Sequence, residues 1–217
     1  MLYRSYCILI LGLLSQFANA QNFTRADSLR GTLSDIRACY NVEYYDLRID
    51  LEIENRSVTG VNHIHLRTEH EIDSIQLDLY SNMVIDSIIW KNEKVKFNRE
   101  FNAVFVIPKN RIPANERSVL SVYYHGQPIT AKNAPWDGGF VWKKDSNGKP
   151  FVGVACEGDG ASLWWPNKDH LSDEPDSMRI TVSIPDGLMA VCNGDLEEQF
   201  SENGKSTFQW HIQNPIN

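Results

Sequence analysis

The sequence lacks long apolar runs, an excess of basic residues and the common short motifs of catalysis. Its main uninterrupted apolar stretch, residues 7–14, is shorter than the roughly 20 residues that a membrane-spanning helix needs, so no membrane span is predicted. Lysine and arginine total 21 against 28 aspartates and glutamates, a formal net charge of −7. An acidic chain without a basic cluster is a poor match for phosphate backbones, and nucleic acid is excluded as a partner. No GxSxG, P-loop or GxGxxG motif is present.

The N-terminus is typical of a secretory signal peptide over residues 1–20. Arg4 supplies a positive start, residues 7–14 form the apolar core, and Ala18-Asn19-Ala20 is a small-x-small cleavage site. The mature chain is predicted to begin at Gln21 and to be exported to the periplasm or the extracellular space. Residues 21–40 are expected to form a lead-in segment, helical or partly extended.

Cysteine is scarce in the predicted mature chain. It retains Cys39, Cys156 and Cys192, and none of these forms a CxxC pair. Export permits a disulfide, but an odd number leaves at least one thiol unpaired, and the sequence does not select a pair. The spacing also argues against a structural zinc site.

Alternation of apolar and polar residues dominates from Tyr45 onward. Side chains alternate between the two faces of a strand, so this period predicts strands with one buried face. Short strands continue to the end, including one at residues 188–192, with long loops at residues 126–150 and 156–177. These features predict an all-β fold for residues 41–217, an antiparallel β-sandwich or saddle-like domain with two long loops.

Metal-binding patterns along the chain are incomplete. His70-Glu71 begins an HExxH motif, but Ser74 stands where the second histidine belongs. His63 and His65 share one face of a predicted strand without a visible third ligand, which favours a solvated face. Acidic residues at positions 169–176 suggest calcium only weakly, because their spacing does not match an EF-hand loop. No metal is therefore predicted to bind to this chain.

The most informative segment is residues 151–178. An apolar strand leads to Cys156 and Glu157 at the start of a glycine-rich loop, and Trp164-Trp165-Pro166 adds a rigid aromatic stretch. A carboxylate held in such a loop could pair with a cationic group, for example an α-ammonium. The alternative is a purely structural loop with a solvated Glu157.

These residues resemble the aminopeptidase N family of zinc metallopeptidases (gluzincins), and in particular its N-terminal β domain. Residues 44–47 look like the opening strand of that domain, and residues 55–60 look like its first turn. Glu157, Trp165-Pro166 and Asp173-Glu174-Pro175 are similar in order to a family pattern, although here residues 167–172 form a longer insert. The resemblance covers residues 30–217, and residues 160–170 look like exported bacterial members.

The resemblance implies a saddle-like β domain that packs on a zinc-containing catalytic domain. The complete enzyme would remove N-terminal residues from peptides. The family's HExxH and GxMEN motifs are missing here, so the chain is expected to be a fragment that ends at Asn217 and is inactive alone. Glu157 matches the family residue that helps to bind the substrate's free α-amine, and the entrance would be lined by Gly158, Gly160 and Ala161.

Two interpretations from other classes stay open. A secreted glycan-binding sandwich would use Trp136, Trp142, Trp164 and Trp165 as stacking surfaces for sugars. A purely structural interaction module would use none of these residues for ligand binding.

Overall fold

The computed structural model describes residues 23–215, and the predicted signal peptide (1–20) and cleavage site lie outside the described residues. Among the described residues 52% are strand and 7% are helix, which confirms the prediction of a mostly β fold. The predicted lead-in segment contains two short helices, α1 (Arg25–Gly31) and α2 (Asp35–Ala38). Thr24 and Asp27 form a capping box at the start of α1, so the helix alternative was the right one.

Within residues 23–215 the strands form one large sheet and two small ones. The strands are β1 (Tyr40–Glu52), β2 (Ser57–Thr68), β3 (Ile75–Asp78), β4 (Met83–Trp90), β5 (Glu93–Lys94), β6 (Lys96–Glu100), β7 (Ala103–Ile107), β8 (Arg117–Gly126), β9 (Gly139–Lys144), β10 (Pro150–Ala155), β11 (Ser177–Pro185), β12 (Asp195–Glu202) and β13 (Lys205–Gln213). The large sheet has the order β12-β13-β11-β1-β2-β8-β4-β5, a small sheet has the order β3-β7-β6, and β9 pairs with β10.

One pair in the large sheet departs from the antiparallel expectation. Strands β1 and β11 run parallel, with Tyr44 opposite Ser177 and Asp50 opposite Ser183. Parallel neighbours need a long crossover. The chain between β1 and β11 includes both small sheets and the loop at residues 156–176, which allows β11 to return in the direction of β1.

The core lies against one face of the large sheet. Tyr45, Leu47, Ile49 and Leu51 of β1 are buried, as the alternating pattern predicts. All four residues of β3 are also buried, and Asp78 of β3 exchanges backbone hydrogen bonds with Asn167 in the long loop. The small sheet is therefore joined along β3 to the loop that carries the candidate site.

Two local predictions were wrong. Residues 188–192 were predicted as a strand but are irregular, and the strand of this region is β12, whose residues are all exposed. The loop predicted over residues 126–150 contains β9, which pairs with β10. The long loop at residues 156–176 is present and contains a single 3-10 turn, Ala161–Leu163.

The described part of the chain contains three cysteines, and all three are free thiols. No helix in the described residues is both long enough and apolar enough to span a bilayer.

Candidate functional site

Strand β10 ends in a tight turn that presents the predicted carboxylate. We call residues 157–160 the Glu157 turn. The backbone N–H groups of Asp159 and Gly160 both donate to the Cys156 carbonyl, at 3.1 and 2.8 Å. Gly158 and Gly160 have φ values of 78°, a conformation that favours glycine. The side chain of Glu157 is exposed and has no hydrogen bond or ion pair to any other described residue.

The first anchor of the Glu157 turn is the side chain of Asp159. Its Oδ2 accepts a hydrogen bond from the Gly138 N–H at 2.8 Å, and its Oδ1 accepts one from the Tyr80 hydroxyl at 3.3 Å. A Cβ atom on Gly138 would lie 2.4 Å from Asp159 Oδ2, so only glycine permits this approach. The turn is thereby joined to the loop that precedes β9.

The second anchor is Asp169, on the far side of the 3-10 turn. Its Oδ2 accepts hydrogen bonds from the N–H and the hydroxyl of Ser162, at 3.1 and 2.6 Å. A Cβ atom on Gly160 would lie 2.1 Å from the same oxygen. Gly160 is therefore required both by its positive φ and by the close approach of Asp169, and Ala161 is buried beside it.

The lead-in segment supplies a third anchor. The Nη2 atom of Arg30, at the end of α1, donates to the Gly158 carbonyl at 2.8 Å. This contact joins residues far apart in the sequence, and it places the lead-in helix directly behind the Glu157 turn.

A buried ion pair supports both the helix and the loop. Arg37 of α2 is fully buried and pairs with Asp78 of β3. Its guanidinium also donates to the carbonyls of Arg30, Thr32 and Asp169, and Asp78 Oδ2 accepts from the Asp169 N–H at 3.1 Å. Burial raises the pKa of Asp78 to about 6, although Arg37 opposes this rise.

A second buried pair fixes the end of the same loop. The ammonium of Lys168 lies 2.6 Å from Asp173 Oδ2 and donates to the Tyr40 carbonyl at 2.6 Å. Asp173 also accepts hydrogen bonds from the Val42 N–H. These contacts give the Asp173 segment a structural role in joining the loop to β1.

The aromatic residues of the loop face inward. Trp164 and Trp165 are only 8% and 5% exposed, and Trp165 packs edge-on against Tyr45. Trp142 is partly buried and stacks on Phe140. Trp136 is 85% exposed. The four tryptophans therefore do not form the common sugar-stacking surface that the glycan-binding interpretation requires.

A cavity of about 210 Å³ lies behind the Glu157 turn, between α1 and the small sheet. Its walls include Arg30, Tyr80 and Ser162, each of which contacts the turn or its anchors, but they do not include Glu157. The Glu157 carboxylate therefore faces solvent and not an enclosed pocket of this domain.

The candidate metal ligands named from the sequence do not come together as a metal site in the described residues. In the part of the chain that the structure describes, no group of three or more His, Cys, Asp or Glu side chains could hold a metal ion. His63 and His65 are half-buried, burial lowers the pKa of both imidazoles, and His63 Nδ1 lies 2.7 Å from the Ser121 hydroxyl. Glu71 pairs with Arg111 at 2.8 Å.

The sequence located the Glu157 turn but not its supports. The predicted residues Glu157, Gly158, Gly160 and Ala161 lie together at the end of β10, in one continuous segment. The anchors at Asp159 and Asp169 and the contribution of the lead-in helix were missed. A local signal existed only for Asp159, which stands between two glycines of the turn.

The fold resembles that of M1 zinc metallopeptidases. A mutant M1 zinc metallopeptidase from Deinococcus radiodurans, bound to a Tyr-Ser-Ala substrate, superimposes with a TM-score of 0.66 and 21% identity, covering 79% of this chain and 39% of that one. Yeast LTA4 hydrolase superimposes with a TM-score of 0.61 and 20% identity, covering 92% of this chain and 30% of that one. The present chain thus spans well under half the length of these neighbours.

No protein-family model and no curated protein sequence matches this chain. The structural neighbours share the fold of the described residues.

Proposed function

We propose that this chain is the N-terminal β domain of an exported zinc aminopeptidase, in which Glu157 binds the α-ammonium group of the peptide substrate. The observation that carries the proposal is an exposed carboxylate without a partner among the described residues, on a turn held by three anchors. The fold shared with M1 zinc metallopeptidases supplies the context.

The Glu157 carboxylate is suited to hold the free amino group of a peptide at a fixed position. A charge-assisted hydrogen bond to an ammonium group is stronger than a neutral one and needs a fixed acceptor. An ammonium held at Glu157 would place the first peptide bond at a constant distance from this domain. That alignment favours removal of one residue at a time over cleavage within the chain.

The hydrolytic step belongs to a catalytic domain in this proposal. Residues 23–215 offer no ligand set for zinc, so they do not fit the metal, and we assign none of them a role in holding it. The contribution of the described residues is to bind and orient the amino end of the substrate.

Exposed apolar side chains favour a partner that packs on this domain. Trp136, Phe151, Met189 and Val191 are 85%, 54%, 61% and 72% exposed, and a domain packed over them would remove this apolar surface from water. The part that superimposes makes up only 39% and 30% of these neighbours. We propose that the partner is the chain's own catalytic domain.

The test begins with the intact mass and a C-terminal peptide map of the native gene product. The proposal expects a product that extends past Asn217 and contains HExxH. In that product, Glu157→Ala should lower kcat/KM for alanine p-nitroanilide roughly 10- to 100-fold, which corresponds to the loss of a charged hydrogen bond of about 1.5–3 kcal/mol.

Glu174→Ala is the matched control, because Glu174 is an exposed carboxylate of the same loop. It should leave kcat/KM unchanged. A native product without a catalytic domain, or equal effects of the two substitutions, would contradict the proposal.

A further inference from the structure

The Glu157 turn and its anchors include three carboxylates, Glu157, Asp159 and Asp169, and the last two are held by hydrogen bonds within the fold. Asp159 accepts hydrogen bonds from Gly138 and Tyr80, and Asp169 accepts two from Ser162. Glu157 has no such partner among the described residues. Any of the three could attract an ammonium group by charge alone, so their contacts separate a ligand-binding role from a supporting one.

Asp169 contacts both the segment that follows the Glu157 turn and the buried ion pair behind it. Its carboxylate touches the position of Gly160 and holds both polar groups of Ser162. Its own backbone is held from behind, because its N–H donates to Asp78 and its carbonyl accepts from Arg37. A path of hydrogen bonds thus leads from the buried Arg37–Asp78 pair through Asp169 to Ser162, two residues after the Glu157 turn.

We propose that Asp169 is a positioning residue that fixes the Glu157 turn and thereby the location of the Glu157 carboxylate. This inference rests on the proposed function of Glu157. We assign Asp169 a supporting role, because its Oδ2 accepts two hydrogen bonds from within the loop. Displacement of a binding group by about 1 Å is known to cost large factors in rate or affinity, which gives such a residue a measurable effect.

The experiment measures competitive inhibition of the complete native enzyme by L-alaninamide and by propionamide. The two molecules differ only in the amino group, so the ratio of their inhibition constants reports amine recognition. Asp169→Ala should raise the inhibition constant of L-alaninamide on the order of tenfold and leave that of propionamide unchanged. In a Glu157→Ala background the same substitution should have no further effect on the ratio.

Two additional variants separate positioning from general stability. Asp169→Asn keeps an oxygen that can accept from Ser162, so it should restore most of the ratio. Ser162→Ala removes only the hydroxyl contact of 2.6 Å and should give a smaller loss of the same kind, even if Asp169→Ala folds poorly. A purely structural role would lower the melting temperature while the ratio stayed constant.

The outcomes are distinct. The inference is overturned if Asp169→Ala weakens both inhibitors equally, leaves the ratio unchanged, or adds to the effect of Glu157→Ala. If Glu157→Ala itself leaves L-alaninamide binding unchanged, the proposed function fails first and the inference falls with it.

Discussion

Removal of the Arg37 side chain should be among the most destabilising single changes in this domain. Arg37 has no exposed surface, pairs with Asp78, and donates to three backbone carbonyls. Loss of one partner of a buried ion pair typically costs about 3–5 kcal/mol, since the other charge remains buried without compensation. We expect Arg37→Ala to lower the free energy of unfolding by about that amount, or the melting temperature by roughly 10 °C.

Urea denaturation measures this loss directly. The matched control is Arg111→Ala, since Arg111 forms an ion pair with Glu71 that is largely exposed to solvent. Surface pairs contribute about 0–1 kcal/mol. A loss for Arg37→Ala within about 1 kcal/mol of the control would refute the assignment of Arg37 as the residue that joins the lead-in helices to the sheet.

The pH dependence provides an independent check on the same pair. Burial raises the pKa of Asp78 to about 6, and Arg37 opposes the rise, so its removal should raise the pKa further. A raised carboxyl pKa stabilises the fold below the unfolded value near 4, and that contribution is lost as the pH rises through the folded value. Arg37→Ala should therefore cost less stability at pH 4.5 than at pH 7.5, and Asp78→Asn in the same chain should remove the difference.

Two further predictions concern other buried groups. Lys168→Met should lower the free energy of unfolding in urea by about 3–5 kcal/mol, because it removes the ammonium that pairs with the buried Asp173. Lys149→Met, at an exposed position, should lower it by under about 0.5 kcal/mol, and equal losses would contradict the prediction. Burial raises the pKa of Cys192 to about 11, so iodoacetamide should modify it far more slowly in the folded protein at pH 8 than in urea. The raised pKa contributes stability that is present below pH 9 and lost as the pH rises through about 11, and equal alkylation rates would rule out the burial effect.

The sequence pattern predicted the central strands well because they alternate between a wet and a buried face. The alternation at β1 correctly identifies Tyr45, Leu47 and Ile49 as buried. Strand β12 escaped prediction because both of its faces are exposed, and its pairing with β13 holds it in place without an apolar period. The apolar residues 188–192 were predicted as a strand but are irregular, since no neighbouring strand pairs with them.

The parallel pairing of β1 with β11 lies beyond what periodicity can show. An alternating strand has the same pattern in either direction, so orientation depends on the length and course of the intervening chain. For the same reason the small sheet could be predicted strand by strand but not placed. Its position against the long loop depends on the backbone bridge between Asp78 and Asn167, two residues with no shared sequence signal.

The candidate site likewise has one part that neighbouring residues predict and another that depends on residues far away in the sequence. Glycines after an apolar strand mark a tight turn, and that local signal located Glu157. The contacts of Arg30 and Arg37 with the loop join residues more than a hundred positions apart, and a single sequence does not encode such pairs in any short pattern. What the sequence could not supply is therefore the set of anchors and not the exposed group.

The anchors matter because an exposed carboxylate gains little from an ion pair when it is free to move. Each long side chain that must be ordered on binding costs about 0.5–1.5 kcal/mol, and solvent weakens the attraction itself. Here the backbone beneath Glu157 is already fixed by Arg30, Asp159 and Asp169, so part of the ordering cost is met on folding. Under the proposed function, substitutions at these anchors should thus affect recognition of the amino group through geometry, whereas Glu157→Ala removes the charge and leaves the geometry intact.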